Sequence, residues 1–506
     1  MSSAKRAISN TFIIYAKQAI TICISLYSTR IVLNTLGAND FGLFNVVGGL
    51  VTILSFLNAA MSVSTQRYVA VNLGTGNLEN IKKVFANSVI LHIGIGLIIA
   101  LLFEIVGVYF LNHQLLISSD RIEVANKIFH FVVISTFVTI ISVPYDAIIN
   151  AHENMTFLAL TSILESIIKL MIAFYLIYTG YDKLLVYGFL TMISVILIRI
   201  LKQIYVRRKY ESTRVNYIAD YNKDLIKELT SFAGWNLFGS LSYLGRSQGI
   251  ALLLNTFYGT VINAAYGIAN QIAGQLNFFC TAMLQALNPQ IMKSGGAKEM
   301  HKVIELSMIG SKVGFLLLGV VAIPCLVEME SVLNIWLKTV PDYTVNFCRL
   351  IIIVSMINQL TAGLDSAMQT TGKIRNYMVI VGVVKLFILP VAYILLKADY
   401  VIYSVFVGYI ILEIIAGMCR ICLFCNETGV DLNRFILEVI LKPIFLTTVA
   451  CVILLVLKQI VTSEYRVLGT FFISFSIFAS GAYILILSSG QKESLNKFII
   501  SRMVRS

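Results

Sequence analysis

Long apolar runs alternate with short polar breaks along the whole chain of 506 residues. A helix needs about 20 residues to cross the hydrocarbon of a bilayer, and the runs provide fourteen segments of that length. The predicted spans are 9–36, 41–63, 84–111, 125–149, 156–179, 183–205, 229–257, 260–287, 304–328, 345–370, 376–396, 400–425, 437–459 and 466–489. The pattern therefore predicts an all-α polytopic membrane protein with about 14 transmembrane helices.

The composition agrees with this fold class, because 58% of the residues are apolar and only 13% are charged. Soluble domains are less apolar and about twice as charged. Most of the eight cysteines lie inside apolar runs, so no disulfide framework is expected. The formal charge of +13 on a soluble protein would indicate a nucleic-acid partner. In a membrane protein the location of the basic residues matters more.

The basic residues predict the orientation, because cytoplasmic loops are enriched in Lys and Arg. With the N-terminus in the cytoplasm, 24 of the 39 Lys and Arg residues lie in the inner loops, tails and inner span ends. Eight lie on the outer side and seven inside spans. Because the number of spans is even, both termini are expected in the cytoplasm.

Four weak internal matches indicate that the chain contains a repeat. "LNT" at residue 33 recurs at residue 254, "GNLENIK" at 76 recurs as "GAKEMHK" at 296, "DAIINA" at 146 recurs as "DSAMQT" at 365, and "KLMIAFY" at 169 recurs as "KLFILPV" at 385. The matches keep one order and nearly one offset, and a unit of six helices enters the membrane from the same side each time. Two parallel six-helix repeats around a central cavity are therefore predicted, as in alternating-access transporters.

The repeat defines the predicted domain boundaries. Residues 1–205 form an N-terminal six-helix lobe, and residues 206–228 form a basic cytoplasmic linker. Residues 229–425 form the C-terminal lobe, and residues 426–506 contain helices 13 and 14 and a cytoplasmic tail.

Basic residues inside the spans are the candidate binding residues, since buried cations face a bundle interior or water rather than lipid. The candidates are Lys17, Arg30, Lys169, Arg246 and Lys385. Two of them have a structural alternative. Lys169 lies one turn after Glu165, at the spacing of an intrahelical ion pair, and Arg30 is close enough to its outer span end for a partial snorkel. On a helix, Lys17 and Arg30 lie about 140° apart, so both are not expected on one cavity wall.

Acidic residues inside spans are fewer, and two of them are related by the repeat. Asp146 and Asp365 lie near the inner ends of helices 4 and 10, where pairing with loop arginines would make them gating latches. A structural ion pair is favoured there over an ion-coupling site. Arg199, near a cytoplasmic span end, is expected to snorkel to the headgroups.

Unpaired cations around a cavity indicate an anionic ligand with phosphate or carboxylate groups. No nucleotide site accompanies them, because "TTGKIR" at residue 370 lacks both the upstream glycine and the Ser/Thr of a phosphate-binding loop. No catalytic residue, cofactor or metal site is predicted. A coupling ion, Na⁺ or H⁺, is left open.

The segment "RIVLNTLGANDFGLFNVVGGL" from Arg30, the inner "GTGNLENIKK", the mid-helix "IIKLMIAFYL" and the fourteen spans resemble the polysaccharide flippase (O-antigen, Wzx-like) branch of the multidrug/oligosaccharidyl-lipid/polysaccharide (MOP) exporter superfamily. The resemblance implies a flippase that carries an undecaprenyl-diphosphate-linked oligosaccharide, for example a lipopolysaccharide unit, from the inner to the outer leaflet. It further implies the bacterial inner membrane, contact with membrane lipids and with the polysaccharide polymerase machinery, and no nucleic acid. Cavity cations at Arg30 and Arg246 would bind the diphosphate, and the last two helices would hold the prenyl tail.

Two rival functions remain open. A multidrug exporter of the same superfamily would export cationic drugs in exchange for Na⁺ or H⁺ and would need acidic residues deep in its cavity. A membrane-embedded polysaccharide polymerase or ligase would need a large outer loop with catalytic side chains. The longest outer loop has about 15 residues, so an enzyme is not expected.

Overall fold

The regular elements of the computed structural model are all helical within the residues that it describes, which are 3–52, 55–113, 120–337, 340–461, 465–486 and 492. Fourteen long helices account for most of them. They are α1 (Ser3–Thr52), α2 (Ser55–Thr75), α3 (Leu78–Gly107), α4 (Ile122–Ala151), α5 (Met155–Tyr178), α6 (Lys183–Lys209), α7 (Lys223–Tyr258), α8 (Thr260–Gly296), α9 (Met300–Val327), α10 (Thr344–Thr370), α11 (Ile374–Lys397), α12 (Tyr403–Thr428), α13 (Leu432–Ile460) and α14 (Arg466–Leu485). Short helices follow α3 at Val108–His113 and α9 at Met329–Trp336.

The predicted fold class is confirmed. Eleven helices of the described part are long and apolar enough to cross a membrane, and α2, α7 and α8 are long enough but more polar. Every predicted span falls on a helix. The second span, 41–63, is divided between the end of α1 and α2, with residues 53 and 54 outside the described ranges, and the last span, 466–489, extends beyond them.

One glycine near the start of each half sets the direction of the chain. Gly37 interrupts α1 with φ 78° and ψ 167°, and Gly259 separates α7 from α8 with φ 82° and ψ −170°. Residues with a Cβ rarely adopt such a positive φ. Both glycines follow an "LNT" sequence, so the first sequence match corresponds to one repeated backbone turn.

Positive-φ residues also recur before two further pairs of helices. Gly76 precedes α3 and Lys298 precedes α9, with φ 72° and 59°. Glu153 precedes α5 and Gly372 precedes α11, with φ 59° and 79°. Each half therefore uses the same turns in the same order, as expected for a duplicated six-helix unit.

These turns correct the predicted equivalence of two lysines. Met155 begins α5 and Ile374 begins α11, so the offset between these helices is 219. That offset aligns Lys169 with Ile388, one helical turn beyond Lys385. A break in α11 at Phe387 separates those two positions, and a loose sequence match does not detect such a shift.

The chain forms two compact units. The N-terminal unit is Ile8–Leu237, and the C-terminal unit contains the chain from Phe238 onward together with the start of α1, so that the main division lies inside α7. The predicted basic linker belongs to the N-terminal unit, where it is held by hydrogen bonds. The side chain of Asn87 on α3 donates to the carbonyl oxygen of Asp220 at 2.7 Å, and its oxygen accepts from the backbone N–H of Asn222 at 2.8 Å. The predicted cavity between the repeats stays a prediction.

Within the C-terminal unit, α13 and α14 pack against α9. Glu328, fully buried at the C-terminal end of α9, accepts hydrogen bonds from Arg466 Nε and Nη2 at 2.9 and 3.0 Å. Lys458 at the end of α13 donates to the carbonyl oxygen of Val327 at 2.8 Å. The last two helices are therefore fixed parts of this unit, although they lie outside the repeat.

Helices α9 and α10 approach closely at Gly363, and this contact gives a stability prediction. A Cβ at residue 363 would lie 2.4 Å from the carbonyl oxygen of Ser307 and 2.6 Å from the amide nitrogen of Ser311. Backbone atoms cannot yield without moving a helix, so Gly363→Ala should destabilise the protein by about 1–3 kcal/mol, as overpacked cores do. Thermal unfolding of the purified protein in detergent measures this. Gly469→Ala is the control, because a Cβ there meets nothing within 4 Å, and equal losses in both variants would contradict the close contact.

Candidate functional site

A cluster of charged side chains lies in the interior of the C-terminal unit, where α7, α11 and α12 meet. Arg246 Nη1 on α7 donates to Glu413 Oε2 on α12 at 2.5 Å. Lys385 Nζ on α11 lies 3.3 Å from Glu413 Oε1. The exposed side-chain fractions are 3% for Arg246, 1% for Glu413 and 8% for Lys385. One carboxylate therefore faces two cations in a nearly closed environment.

A third cation extends the cluster toward α10. Arg420 Nη1 on α12 donates to Asn358 Oδ1 at 2.7 Å, and Lys385 Nζ lies 3.5 Å from the same oxygen. Arg420 Nε lies 3.8 Å from Asp365 Oδ1, and the hydroxyl of Tyr377 donates to that oxygen. The Asp365 side chain is 40% exposed, so the charged cluster runs from the buried Arg246 to a partly accessible carboxylate.

The cluster has a positive balance. It contains the cations Arg246, Lys385 and Arg420 and the carboxylates Glu413 and Asp365. The Nε atoms of both arginines are buried without a hydrogen-bond partner among the described residues. Uncompensated charge inside a membrane protein is costly and marks substrate or ion paths. The arrangement can therefore attract an anion, and it leaves guanidinium donors that are not used by the protein.

Aromatic rings add to the stabilisation of Arg246. Its Cζ lies 4.6 Å from the ring centroid of Tyr409 and 5.2 Å from that of Tyr243. A cation over an aromatic face gains about 0.5–2 kcal/mol, more when water is excluded. The protein thus compensates this guanidinium with one carboxylate and two rings.

An Asp–Arg pair occurs at corresponding places in both units. In the N-terminal unit, Asp146 on α4 accepts from Arg199 Nη1 at 2.7 Å and from Lys202 Nζ at 2.9 Å, both on α6. In the C-terminal unit, Asp365 on α10 faces Arg420 on α12. The offsets of 219 for the acids and 221 for the arginines match the repeat. Helices 4 and 6 of each unit are joined in the same way.

This pair corrects two expectations. Arg199 does not snorkel to the headgroups, because its guanidinium is bound to Asp146. The partners of Asp146 and Asp365 are helix residues of the same unit rather than loop arginines. Within an apolar span, a carboxylate partner stabilises a guanidinium more than extension of the side chain toward the headgroups would.

The remaining candidate cations lie in the N-terminal unit. Lys169 Nζ pairs with Glu165 Oε1 on the same helix at 2.8 Å, which was its structural alternative, and 46% of its side chain is exposed. Arg30 is exposed and Lys17 is half-buried on α1. No ion pair or hydrogen bond joins either of them to another described side chain. The structure brings Arg246 and Lys385 together, and their use as binding residues stays a prediction.

Sequence reasoning missed the importance of Glu413 and Arg420. Neither residue is among the candidate residues predicted from the sequence. A signal was present, because "EIIAGMCR" places the two charges seven residues apart, on one face of a helix. A carboxylate within an apolar span, with an arginine on the same face, indicates a buried polar cluster.

The N-terminal unit contains a second, more accessible charge group at the starts of α4 and α6. Arg121, just before α4, donates to Asp40 at 2.7 Å and also pairs with Asp182 at the start of α6. Burial acts to raise the pKa of Asp182, but hydrogen bonds from the Leu185 amide and from Arg121 lower it below its ordinary value. This group joins the starts of α4 and α6 to the part of α1 just after its kink at Gly37, and it is not part of the candidate site.

The solved structures that match this fold include transporters. A MATE protein in the bent conformation matches with a TM-score of 0.72 at 15% identity, covering 86% of this chain and 97% of its own. A multidrug resistance MATE family transporter of the MOP superfamily, in an outward-facing conformation, matches with a TM-score of 0.70 at 14% identity, covering 85% and 96%. A MOP superfamily transporter from Pyrococcus furiosus, whose binding pocket is described as having reverse polarity, matches with a TM-score of 0.71 at 14% identity, covering 85% and 96%.

The chain therefore has the fold of these MATE and MOP superfamily proteins, and its many long apolar helices make it a multi-pass membrane protein. Residues 7–294, more than half of the chain, match the family model described as polysaccharide biosynthesis protein. The chain belongs to this polysaccharide biosynthesis protein family. The predicted resemblance to the polysaccharide branch of the superfamily is thereby confirmed. No curated protein matches the chain significantly.

Proposed function

We propose that this transporter is a flippase for a lipid-linked anionic oligosaccharide, carried on undecaprenyl diphosphate from the inner to the outer leaflet of the bacterial cytoplasmic membrane. The observation that carries the proposal is the excess of buried cations in the C-terminal unit, where Arg246, Lys385 and Arg420 face two carboxylates. Membership of the polysaccharide biosynthesis family supplies the substrate class. Alternating access between the leaflets is the mechanism in this proposal.

The cations have a specific role in the proposal. A diphosphate carries several oxygens that accept hydrogen bonds, and guanidinium groups bind such oxygens in a bidentate way. Arg246 and Lys385 would bind the diphosphate in the C-terminal unit, while Arg30, Lys17 and Lys169 would do so in the N-terminal unit. Outward movement of negative charge is also favoured by an inside-negative membrane potential, by about 2.3 kcal/mol per charge per 100 mV. Both termini in the cytoplasm, and delivery to a polysaccharide polymerase, belong to the same proposal.

Deletion of the gene tests the proposal in a strain that depends on the protein for its surface polysaccharide. We expect the surface polymer to be lost and the lipid-linked oligosaccharide to accumulate on the cytoplasmic face. Complementation with Arg246→Ala or Lys385→Ala should leave at least one defect of about tenfold, a loss of about 1.4 kcal/mol in binding terms. Normal surface polysaccharide with both variants would overturn the role of the cations.

The same deletion distinguishes a flippase from the rival polymerase or ligase. Loss of a polymerase or ligase would leave single repeat units on the outer face instead of stalled units on the inner face. Accumulation of lipid-linked units outside would therefore exclude a flippase.

Multidrug export is the second candidate, because several structures with this fold are MATE proteins. An exporter of cationic compounds would use the partly exposed carboxylate of Asp365. Efflux of a cationic dye, measured in cells with and without the protein and abolished by Asp365→Asn, would favour export. The flippase proposal expects no efflux that depends on the protein.

A further inference from the structure

Lys385 differs from the other cations of the buried cluster in its contacts. Its Nζ lies 3.3 Å from Glu413 Oε1 and 3.5 Å from Asn358 Oδ1, whereas Arg246 reaches Glu413 Oε2 at 2.5 Å. Glu413 Oε1 makes no hydrogen bond within the described part of the chain. The ammonium group is thus held loosely, and the carboxylate already has a closer partner.

The charged groups that face Lys385 come from every helix packed around it. Arg246 faces it from α7, Asp365 from α10, and Glu413 and Arg420 from α12. Tyr377, on its own helix, is bound to Asp365. With Lys385 charged, three cations face two carboxylates. With Lys385 neutral, two cations face two carboxylates, and Glu413 keeps Arg246 as its partner.

Only one of the three cations can change its charge. A guanidinium stays protonated under all ordinary conditions, whereas a buried lysine ammonium readily loses a proton. Release of one proton from Lys385 Nζ to water leaves a neutral amine and no buried carboxylate without a counter-charge. A sodium ion would instead add a fourth positive charge to the cluster, next to carboxylates that already face cations.

We propose that Lys385 is the site at which the C-terminal unit binds and releases a proton during the transport cycle. The coupling ion of this transporter is then H⁺, and its carrier is an amine rather than a carboxylate. Proton binding raises the positive charge of the cluster when an anion is to be held, and proton release lowers it when the anion is to leave. The polar side chains of Asn358, Arg420 and Asp365 connect Lys385 to the partly exposed end of the cluster.

A fixed charge at residue 385 tests this proposal in cells. Lys385→Arg keeps the positive charge and cannot release a proton. Lys385→Met removes both the charge and the amine that exchanges the proton. We expect both variants to lower surface polysaccharide by about tenfold or more, within the range of coupling between two sites. Lys127→Arg is the matched control and should be normal, because Lys127 pairs with Glu123 on its own helix and is not one of the proposed binding residues. Normal transport by Lys385→Arg would overturn the proposal. This experiment in cells rests on the proposed function.

A second measurement does not depend on any substrate. The unfolding temperature of the purified protein is recorded from about pH 5 to about pH 10 for the wild type and for Lys385→Arg. If Lys385 exchanges a proton in this range, the difference between the two curves should change by about 2 °C or more. A constant difference would overturn the proposal even if the protein is a flippase. If Lys385→Arg does not fold, Lys385→Met is compared with the wild type by the same criterion. A pH-dependent difference in a protein without flippase activity would support the proton site and contradict only the proposed function.

Discussion

Glu413→Ala should produce the largest loss of stability of any single substitution in the charged cluster. The variant leaves Arg246 and Lys385 buried together without their shared carboxylate. Removing one partner of a buried ion pair costs about 3–5 kcal/mol, because the other charge stays uncompensated. We expect little folded protein in the membrane and a strongly lowered unfolding temperature for the fraction that can be purified. Fluorescence-detected gel filtration after a temperature series measures both effects.

Glu79→Ala is the matched control for this prediction. It also removes a glutamate that pairs with a lysine, Lys83, but Glu79 lies at the start of α3 and 76% of its side chain is exposed. Exposed ion pairs contribute about 0–1 kcal/mol, so the control should behave nearly like the wild type. Similar stability of the two variants would mean that the cluster is more accessible than the structure indicates.

Replacing Arg246, Lys385 and Glu413 together by methionine should separate folding from transport. Well-packed apolar residues in place of a buried ion pair are often neutral or even stabilising, and Arg420 retains Asp365 nearby. The triple variant should therefore fold much better than Glu413→Ala. Transport should nevertheless fall by at least about tenfold, since the cations that bind an anion are gone. Surface polysaccharide and unfolding temperature are measured on the same strain and protein.

Two results would contradict the role proposed for these cations. A triple variant that folds and still supplies normal surface polysaccharide would make the cluster a structural feature only. A triple variant less stable than Glu413→Ala would mean that the charged side chains make a net stabilising contribution to the unit rather than only neutralising one another.

The helices could be predicted because the length of an apolar segment limits the secondary structure that it can adopt in a membrane. Backbone groups in lipid must be satisfied within the segment, so each long apolar run had to become a helix. The ends were less predictable. α7 begins at Lys223 and α8 continues to Gly296, well outside the predicted spans 229–257 and 260–287, because a helix does not end where the hydrocarbon ends.

The candidate site was predicted less completely, since pairing depends on neighbours that are distant in sequence. Arg246 and Lys385 were recognised as costly cations, but their common partner Glu413 lies 167 residues from Arg246. Arg199 was expected to snorkel because it lies near the end of its span, but Asp146 on another helix supplies a partner for it. Only Lys169 and Glu165, one turn apart on one helix, could be paired from sequence.

The sequence by itself determined the fold class and the internal repeat, because hydropathy and turn residues act over short distances. It also determined that several cations must lie inside the membrane. Only the tertiary structure decided which of these cations share a carboxylate, and it did so by bringing α7, α10, α11 and α12 together. Charges in a medium of low polarity are controlled by their nearest neighbours in space, and those neighbours are not adjacent in the chain.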